Sequence, residues 1–266
     1  MLGRCEAAAI GGDYIRPVLG LPTHVTACLF DLDGVLTQTA LVHNAAWKQT
    51  FDIFLKAWSD RHGLPYVPFD SGADYHDYVD GRARADGVRT FLASRGITLP
   101  EGTPDDSPDE ETVYGIGNRK NELVLQKIKE GAVQVYPGSV DYLHSAKAAG
   151  LRRAVVSASA NCKEVLEAAG IADLIEARVD GITARERHLP GKPAPDTFLY
   201  AAKLLDTLPE NCAVFEDAQA GVAAGRAGGF GIVVGVDRVG QAEALREHGA
   251  DIVVQDLSDL LRPVNT

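Results

Sequence analysis

Short runs of apolar residues recur along the chain, and most of them end in acidic or hydroxyl residues. The first run, His24–Phe30, leads directly into Asp-Leu-Asp-Gly, and later runs span Leu151–Ser159, Asn211–Ala218, Gly231–Asp237 and Ala250–Asp256. Continuous apolar runs of this length are typical of strands that are covered on both faces of a parallel sheet. Stretches whose apolar residues have helical spacing lie between the runs, so the pattern predicts βαβ units. These stretches are Gly138–Ala149, Ala160–Ala169, Pro195–Leu205 and Ala220–Gly228.

The segment that follows the first run differs from the rest of the chain. From about Leu41 to Glu130 it is helix-like throughout, it carries both tryptophans, and it contains no comparable strand run. This pattern predicts a helical insertion into the sheet-forming part of the chain. Within the insertion, the acidic and proline-containing stretch Glu101–Glu111 is expected to be a solvated loop.

The charge and composition disfavour several classes of function. With 26 basic and 37 acidic residues, the net charge is −11, so phosphate-backbone or anionic-membrane binding is disfavoured and any anion site must be local. No stretch approaches the ~20 apolar residues of a membrane span, and residues 1–22 lack the apolar core of a signal peptide. The four scattered cysteines indicate a reducing compartment and no zinc site, so a cytoplasmic location is expected.

Two pairs of acidic residues follow predicted strands. Asp31 and Asp33 come after the first strand, and Glu216 and Asp217 lie at the end of a later one. Since ligands of open α/β sheets bind at the carboxyl ends of the strands, we expect both pairs to border one crevice. Neighbouring carboxylates repel unless a cation or a shared proton compensates, and oxygen ligands suit Mg²⁺. The sequence therefore predicts a magnesium site.

A cation and hydroxyl groups are expected at the same edge of the sheet. Lys192 lies in Gly-Lys-Pro-Ala-Pro-Asp, where two prolines stiffen the loop before a helix. Ser157 and Ser159 lie where a strand turns into a helix, a place where hydroxyl and free N–H groups can meet an anion. Taken singly, such a lysine is usually solvent-exposed and such serines more often cap a helix. The combination is what indicates phosphate chemistry.

In chain order, the segments DLDGVLT, SAS, GKPAPD and FEDAQAG resemble the four motifs of the haloacid dehalogenase superfamily. Further segments are similar to the β-phosphoglucomutase group, whose pattern sugar phosphatases partly share. They are Asp31–Trp47, Asp80–Val88, Asn118–Glu122, Ser157–Asn161 and Gly191–Phe198. The resemblance implies an α/β fold: a doubly wound parallel-sheet (Rossmann-like) core with a helical cap domain inserted after the first strand. The predicted domains are an N-terminal extension (1–21), the core (22–40 and 133–266) and the cap (41–132).

The resemblance assigns catalytic roles to four residues of the core. It implies that Asp31 is the nucleophile that forms an aspartyl phosphate, and that Asp33 is the general acid and base at the sugar oxygen. Two carboxylates in different environments can take opposite protonation states, which agrees with this division. Ser157 and Lys192 would hold the transferring phosphoryl group and neutralise the charge that develops on it.

The resemblance also implies ligands for the metal and for the substrate. Mg²⁺ would be held by Asp31, the backbone carbonyl of Asp33, and Asp217, with Glu216 supporting it directly or through water. Arg84 would grip the second, non-transferring phosphate of a bisphosphorylated sugar, since the guanidinium fork binds phosphate bidentately. The residues expected to contact substrate are Gly34, Thr39, His43, Trp47, Arg84, Lys120, Asn121, Ala158, Ser159 and Asn161.

Some features of the chain leave these assignments open. Arg82 and Arg89 lie close to Arg84, and any one of the three could belong to a solvated helix face. Gln38 stands where the mutases usually have an acidic residue, and Ala160 stands where they often have lysine. The first departure bears on the hinge into the cap, and the second bears on a sugar or phosphate contact.

The resemblance implies Mg²⁺-dependent phosphoryl transfer that interconverts β-glucose 1-phosphate and glucose 6-phosphate through β-glucose 1,6-bisphosphate. The alternative is a sugar-phosphate or other small-molecule phosphatase, in which water attacks the aspartyl phosphate on the same scaffold. A dehalogenase has no need of the acidic pair Glu216 and Asp217, and a phosphonate hydrolase would require a cap lysine such as Lys48 or Lys56. A non-catalytic binding protein would not need all these polar residues. The expected partner is a small phosphorylated sugar, with no nucleic acid or membrane, and the expected state is a monomer.

Overall fold

The computed structural model of the protein describes residues 19–261. Within that range, the strands form one sheet in which every neighbouring pair is parallel. They are β1 (Ala27–Phe30), β2 (Arg152–Val156), β3 (Ala177–Val179), β4 (Cys212–Glu216), β5 (Ile232–Val236) and β6 (Ile252–Val254). The order β3-β2-β1-β4-β5-β6 places β1 between β2 and β4 at the centre. The apolar runs of the sequence predicted five of these strands but not β3, which has only three residues and exposes Arg178.

Between β1 and β2 the chain forms a helical insertion. Its elements are α1 (Thr39–His62), a π-helical turn (Tyr75–Val79), α2 (Arg84–Ser94) and α3 (Val113–Lys129). These helices enclose an aromatic core of their own, in which the Phe51 ring lies 5.0 Å from the Trp47 ring and 4.2 Å from the Phe91 ring. The Thr112 hydroxyl caps α3 by accepting a hydrogen bond from the Gly115 N–H at 2.9 Å. The insertion therefore has its own hydrophobic core, separate from the sheet.

The expectation that the insertion is helical throughout is wrong for residues 63–72 and 95–112. Gly63 ends α1 in the left-handed conformation, with φ of 65°, and several prolines follow in both segments. Most of Glu101–Glu111 is exposed, as predicted, and both ends of this loop are tied to helices. Arg61 pairs with Glu111 through two hydrogen bonds of 2.6 and 2.7 Å, and Arg89 binds Glu101.

Helices cover both faces of the sheet. They are α4 (Pro137–Ala148), α5 (Cys162–Ala168), α6 (Gly181–Glu186), α7 (Asp196–Leu204), α8 (Gln219–Ala227) and α9 (Ala242–Glu247). On one face, Phe30 of β1 packs against Tyr142 of α4, and on the other face Leu29 lies in the same cluster as Phe198 of α7. Alternate residues of a strand thus point to opposite faces of the sheet and pack into two separate hydrophobic cores. The doubly wound α/β fold with a helical insertion is confirmed, and each predicted helix of the core ends within two residues of its observed bounds.

The cysteines within residues 19–261, which are Cys28, Cys162 and Cys212, are free and buried. Burial raises the pKa of the Cys212 thiol to about 12, which keeps it protonated and unreactive. Cys5 and most of the predicted N-terminal extension lie outside the described residues. Across residues 19–261, no helix combines the length and the apolar character that crossing a membrane requires.

Candidate active site

The polar residues predicted at the strand ends lie together at one edge of the sheet. Asp31 and Asp33 follow β1, Ser157 follows β2, and β4 ends in Glu216 with Asp217 directly after it. They meet because parallel neighbours in register deliver their carboxyl ends to the same side: Phe30 of β1 pairs with Val155 of β2 and Phe215 of β4. Asp33 is half-buried, and the buried residues are Asp31, Ser157, Lys192, Glu216 and Asp217.

Lys192 lies buried among the acidic residues, in contrast to the solvent-exposed position that is usual for a loop lysine. Its ammonium group donates hydrogen bonds to Asp31 Oδ1 at 2.5 Å, to the Glu216 carboxylate, and to the Val156 carbonyl at 3.1 Å. Burial alone would lower the pKa of Lys192, but Asp31 and Glu216 together raise it above its ordinary value. The lysine is therefore charged, and it holds the Asp31 carboxylate in one orientation.

Asp31, Glu216 and Asp217 form a cluster of buried carboxylates. One oxygen atom from each of the three lies within 4.8 Å of the others. Burial raises the pKa of Asp31 and Asp217 well above the usual range, and the neighbouring carboxylates raise each further. A buried set of oxygen donors that repel one another fits a hard divalent cation, because such a cation would favour their charged forms.

Gly34 shapes the turn that brings these carboxylates together. Its φ is +96°, which favours glycine, and a Cβ atom at this position would lie 1.7 Å from Asp217 Oδ2. Gly34 was predicted to contact substrate, but it lies outside the cavity described below. In the structure it is a turn residue that makes room for Asp217.

Asp33 has a different environment from Asp31. The Thr39 hydroxyl donates a hydrogen bond to Asp33 Oδ1, and the Ser157 hydroxyl lies 3.3 Å from Oδ2. His43 Nε2 lies 3.6 Å from Oδ1. Thr39 is itself buried and lies outside the cavity, and its hydrogen bond orients Asp33. The two carboxylates thus have different partners. Asp31 is paired with Lys192, whereas Asp33 lies against the hydroxyl groups of Thr39 and Ser157.

The cap side of the site contains a buried pair of nitrogen groups. Lys120 Nζ donates to His43 Nδ1 at 2.7 Å and lies 4.8 Å from the centre of the Trp47 ring. Burial lowers the pKa of Lys120 to about 7 and that of His43 to about 4. His43 is therefore neutral at pH 7, and because Nδ1 accepts from Lys120, its proton is on Nε2, which faces Asp33.

A cavity of about 350 Å³ lies between the sheet edge and the insertion. Most of the predicted site residues line it, and Gly34, Thr39 and Glu216 do not. Those that do are Asp31, Asp33, His43, Trp47, Arg84, Lys120, Asn121, Ser157, Ala158, Ser159, Asn161, Lys192 and Asp217. The Asn161 amide donates to Asn121 Oδ1 at 3.0 Å, so the two walls touch directly. A cavity of this size can enclose a small phosphorylated molecule.

Residues 25–229 match the family model described as haloacid dehalogenase-like hydrolase. The chain belongs to the haloacid dehalogenase-like hydrolase family. It is 57% identical over 247 residues to β-phosphoglucomutases of Mycobacterium bovis and Mycobacterium tuberculosis, which covers 92% of this chain and 94% of each relative. The β-phosphoglucomutase of Bacillus subtilis is 32% identical over 234 residues, with 88% and 91% covered.

Solved structures of this family show the same fold. The crystal structure of the β-phosphoglucomutase from Clostridium difficile matches with a TM-score of 0.68 and 28% identity, covering 89% of this chain and 93% of that one. The resemblance inferred from the motifs is therefore confirmed by the family match, by curated relatives and by a solved structure.

The structure distinguishes the arginines that the sequence left open. Arg89 is paired with Asp86 and, at 3.1 Å, with Glu101. All three arginines line the cavity, but Arg82 and Arg84 have no carboxylate partner among the described residues. Burial, together with the like charge of Arg185, lowers the pKa of Arg84. Of the three, Arg89 is the one whose charge is already satisfied within the cap.

Several cavity residues were missed by sequence reasoning. Tyr75, Asp80, Tyr114 and Arg185 line the cavity of this haloacid dehalogenase-like protein. Asp80 begins the segment Asp80–Val88 that carried part of the resemblance, so a signal for it was present. Arg185 lies in α6, a six-residue helix that no periodicity indicated.

Two lysines considered for a phosphonate hydrolase lie elsewhere. Lys48 pairs with Asp52 at 2.7 Å, and Lys56 pairs with Asp60 at 2.7 Å. Neither of them lines the cavity. Both are surface ion pairs along α1, so neither has the apolar niche that a Schiff-base lysine would need.

Proposed function

We propose that this protein is a β-phosphoglucomutase, which interconverts β-glucose 1-phosphate and glucose 6-phosphate through β-glucose 1,6-bisphosphate. The observation that carries the proposal is a single cavity with two kinds of wall. The core wall presents Asp31 and Lys192 for phosphoryl transfer, and the cap wall presents Arg84 without a carboxylate partner. A mutase needs both, because its intermediate carries two phosphates. Relatives named β-phosphoglucomutase at 57% identity support the same assignment.

In this proposal, Asp31 attacks the phosphorus atom of the bound phosphate. A bond forms between an Asp31 oxygen and phosphorus, and the bond from phosphorus to the sugar oxygen breaks. Lys192 already binds Asp31 Oδ1, so it orients the nucleophile. Lys192 and the Ser157 hydroxyl are also placed to neutralise charge on the phosphoryl oxygens as it develops.

Asp33 would protonate the sugar oxygen as it leaves and deprotonate the sugar hydroxyl that later attacks the aspartyl phosphate. Asp33 lines the cavity, so it can reach the sugar, and its orientation is set by Thr39 and Ser157. The neutral His43 ring presents its Nε2–H towards Asp33 at 3.6 Å. That group can hydrogen-bond the charged form of Asp33 after a modest approach of the cap.

Mg²⁺ would be held by the side chains of Asp31 and Asp217 and by the Asp33 carbonyl, with Glu216 in support. Their buried, mutually repelling oxygen atoms suit this cation. When bound, the ion would offset negative charge on the transferring phosphoryl group and on its acceptor carboxylate. Glu216 also holds Lys192, so it links the cation site to the nucleophile.

The test is a paired assay of the purified protein with Mg²⁺ and β-glucose 1-phosphate, primed with a trace of the bisphosphate. Glucose 6-phosphate and free phosphate are followed together. We expect glucose 6-phosphate in large excess over phosphate, since closure of the cap over the substrate would keep water from the aspartyl phosphate. Release of phosphate in equal amounts, or no reaction with this sugar, would replace the mutase with a phosphatase.

A further inference from the structure

Two arginines face the cavity from opposite walls. Arg84 lies at the start of α2 in the cap, and Arg185 lies in α6 of the core. Both line the same cavity as Ser159 and Asn161. Neither guanidinium group has a hydrogen-bond or ion-pair partner among residues 19–261, whereas most arginines in that range do.

The structure holds Arg185 beside the loop that carries the polar groups of the core wall. The Gly181 N–H at the start of α6 donates to the Ser159 carbonyl at 3.1 Å. A Cβ atom on Gly181 would lie 2.8 Å from the Ala158 carbonyl oxygen, so α6 and this loop are closely packed. Asp180 caps α6 by accepting a hydrogen bond from the Thr183 N–H at 2.8 Å. Arg185 is thus presented by a short helix that is fixed to residues 158–159.

The positive charges of Arg84 and Arg185 are not balanced by an ion pair among the described residues. Two acidic groups of the same segments are already paired: Asp180 with Arg178 at 2.7 Å, and Asp86 with Arg89. Ala160, between Ser159 and Asn161, brings no charge to the core wall. Burial and the like charge of Arg185 lower the pKa of Arg84, as expected for two cations that line the same cavity. A pair of cations that repel across a cavity is stabilised by an anion between them.

We infer that Arg185 binds the non-transferring phosphate of the sugar bisphosphate from the core side, while Arg84 binds it from the cap side. This inference rests on the proposed mutase function and adds a phosphate ligand that the family motifs do not contain. A phosphate carries enough acceptor oxygens for two guanidinium forks. Because the two arginines belong to different walls, the bound phosphate would also tie the cap to the core while the other phosphate reacts.

The test compares Arg185→Ala with Arg187→Ala in an Asp31→Asn background that does not turn over. Arg187 is two residues further along and is exposed, as Arg185 is, but it does not line the cavity and lies over the Tyr200 ring at 6.0 Å. Binding of β-glucose 1,6-bisphosphate is measured by calorimetry with each protein. We expect Arg185→Ala to weaken binding about tenfold or more and Arg187→Ala to leave it near the parent value.

The outcomes separate the inference from the function on which it rests. If the parent binds the bisphosphate and Arg185→Ala binds it equally well, the role of Arg185 is wrong and the mutase proposal stands. If the parent does not bind it and the unmodified enzyme makes no glucose 6-phosphate, both are overturned.

A second measurement uses the unmodified Asp31 enzyme and does not depend on the background variant. Arg185→Ala should raise the concentration of bisphosphate that half-activates the reaction, and it should increase phosphate release relative to glucose 6-phosphate. Arg185→Lys should recover part of this loss, since it restores the charge without the fork. An unchanged activation constant and product ratio in Arg185→Ala would overturn the inference.

Discussion

The two walls of the cavity are built on different electrostatic principles. On the core wall, Lys192 is paired with Asp31 and Glu216, so the nucleophile is held by ion pairs within the protein. On the cap wall, Lys120 and Arg84 have lowered pKa values, and Arg84 has no acidic partner in the described part of the chain. The ion pairs of Lys192 on the core wall are therefore formed before substrate binds, whereas the charge of Arg84 on the cap wall needs an anion to balance it. This difference suits a division between chemistry on the core and recognition on the cap.

The largest effect is expected at the nucleophile of the core wall. Asp31→Asn should lower the rate of glucose 6-phosphate formation by about 10⁴-fold or more, because an amide cannot form the aspartyl phosphate. The fold should persist, since Lys192 keeps its contact with Glu216. The rate and the midpoint of thermal unfolding measure these effects, with Asp173→Asn on the exposed surface as the control. Appreciable turnover in Asp31→Asn would place the nucleophile elsewhere.

Lys192→Ala tests whether the Lys192 ammonium group offsets the charge of the buried acids on the core wall. It leaves Asp31 and Glu216 buried without their cation, so we expect a loss of about 3–5 kcal/mol in the free energy of unfolding as well as loss of activity. Chemical denaturation of the metal-free protein measures this change. Lys203→Ala, on the exposed side of α7, is the matched control. Equal stability in the two variants would mean that Lys192 does not offset the buried acids.

Arg84→Ala tests the cap wall, where the charge is not balanced by the protein. We expect KM for β-glucose 1-phosphate to rise about tenfold to a hundredfold, with little change in the unfolding free energy, because no ion pair among the described residues is broken. Arg246→Ala, on the exposed surface of α9, serves as the control. A large loss of stability with KM unchanged would reverse the assignment and make Arg84 structural.

The smallest effect is a dependence of stability on pH that originates in the cap. The pKa of Lys120 is lowered to about 7 by burial and by Arg84, with Asp33 opposing, while an unfolded lysine titrates near 10.4. Between these values the unfolded chain binds more protons than the folded one, so this group makes stability rise with pH. Below about pH 7 the group is protonated in both states, and its contribution no longer varies.

Lys120→Met should therefore reduce the increase in unfolding free energy between pH 7 and pH 9. The exposed Lys129→Met on the same helix should leave it as it is. Urea unfolding at the two pH values measures the slope. If all three proteins show the same slope, Lys120 titrates normally in the folded state, and the cap wall is more hydrated than its burial indicates.

Much of the core could be predicted from local sequence. The apolar runs that end in Asp31 and Glu216 are recognisable because a buried strand needs continuous apolar residues and can place polar groups only at its end. Strand β3 was missed since it is an edge strand of three residues, too short to show a period. The loops of the insertion were missed because helical spacing was extended across Gly63 and the prolines that follow it.

Some candidate site residues outside the strand ends could be predicted from the sequence, and others could not. Motif resemblance found Arg84 and Lys120 but did not distinguish Arg84 from Arg82 and Arg89. The distinction came from the Glu101 carboxylate, which lies 12 residues from Arg89 and pairs with it only in the folded cap. Arg185 carried no local signal, because its relevance depends on a cavity formed with a segment a hundred residues earlier in the chain.

By itself, the sequence determined the class of fold and the chemistry at the strand ends, since both follow from short-range patterns of apolar and acidic residues. Tertiary structure alone decided which charges are balanced and which remain for a ligand. Lys192 could have been an exposed lysine, and its burial between Asp31 and Glu216 exists only after three strand ends and a loop converge. The physical reason is that burial and ion pairing depend on distances between residues far apart in sequence, and those distances are set by packing.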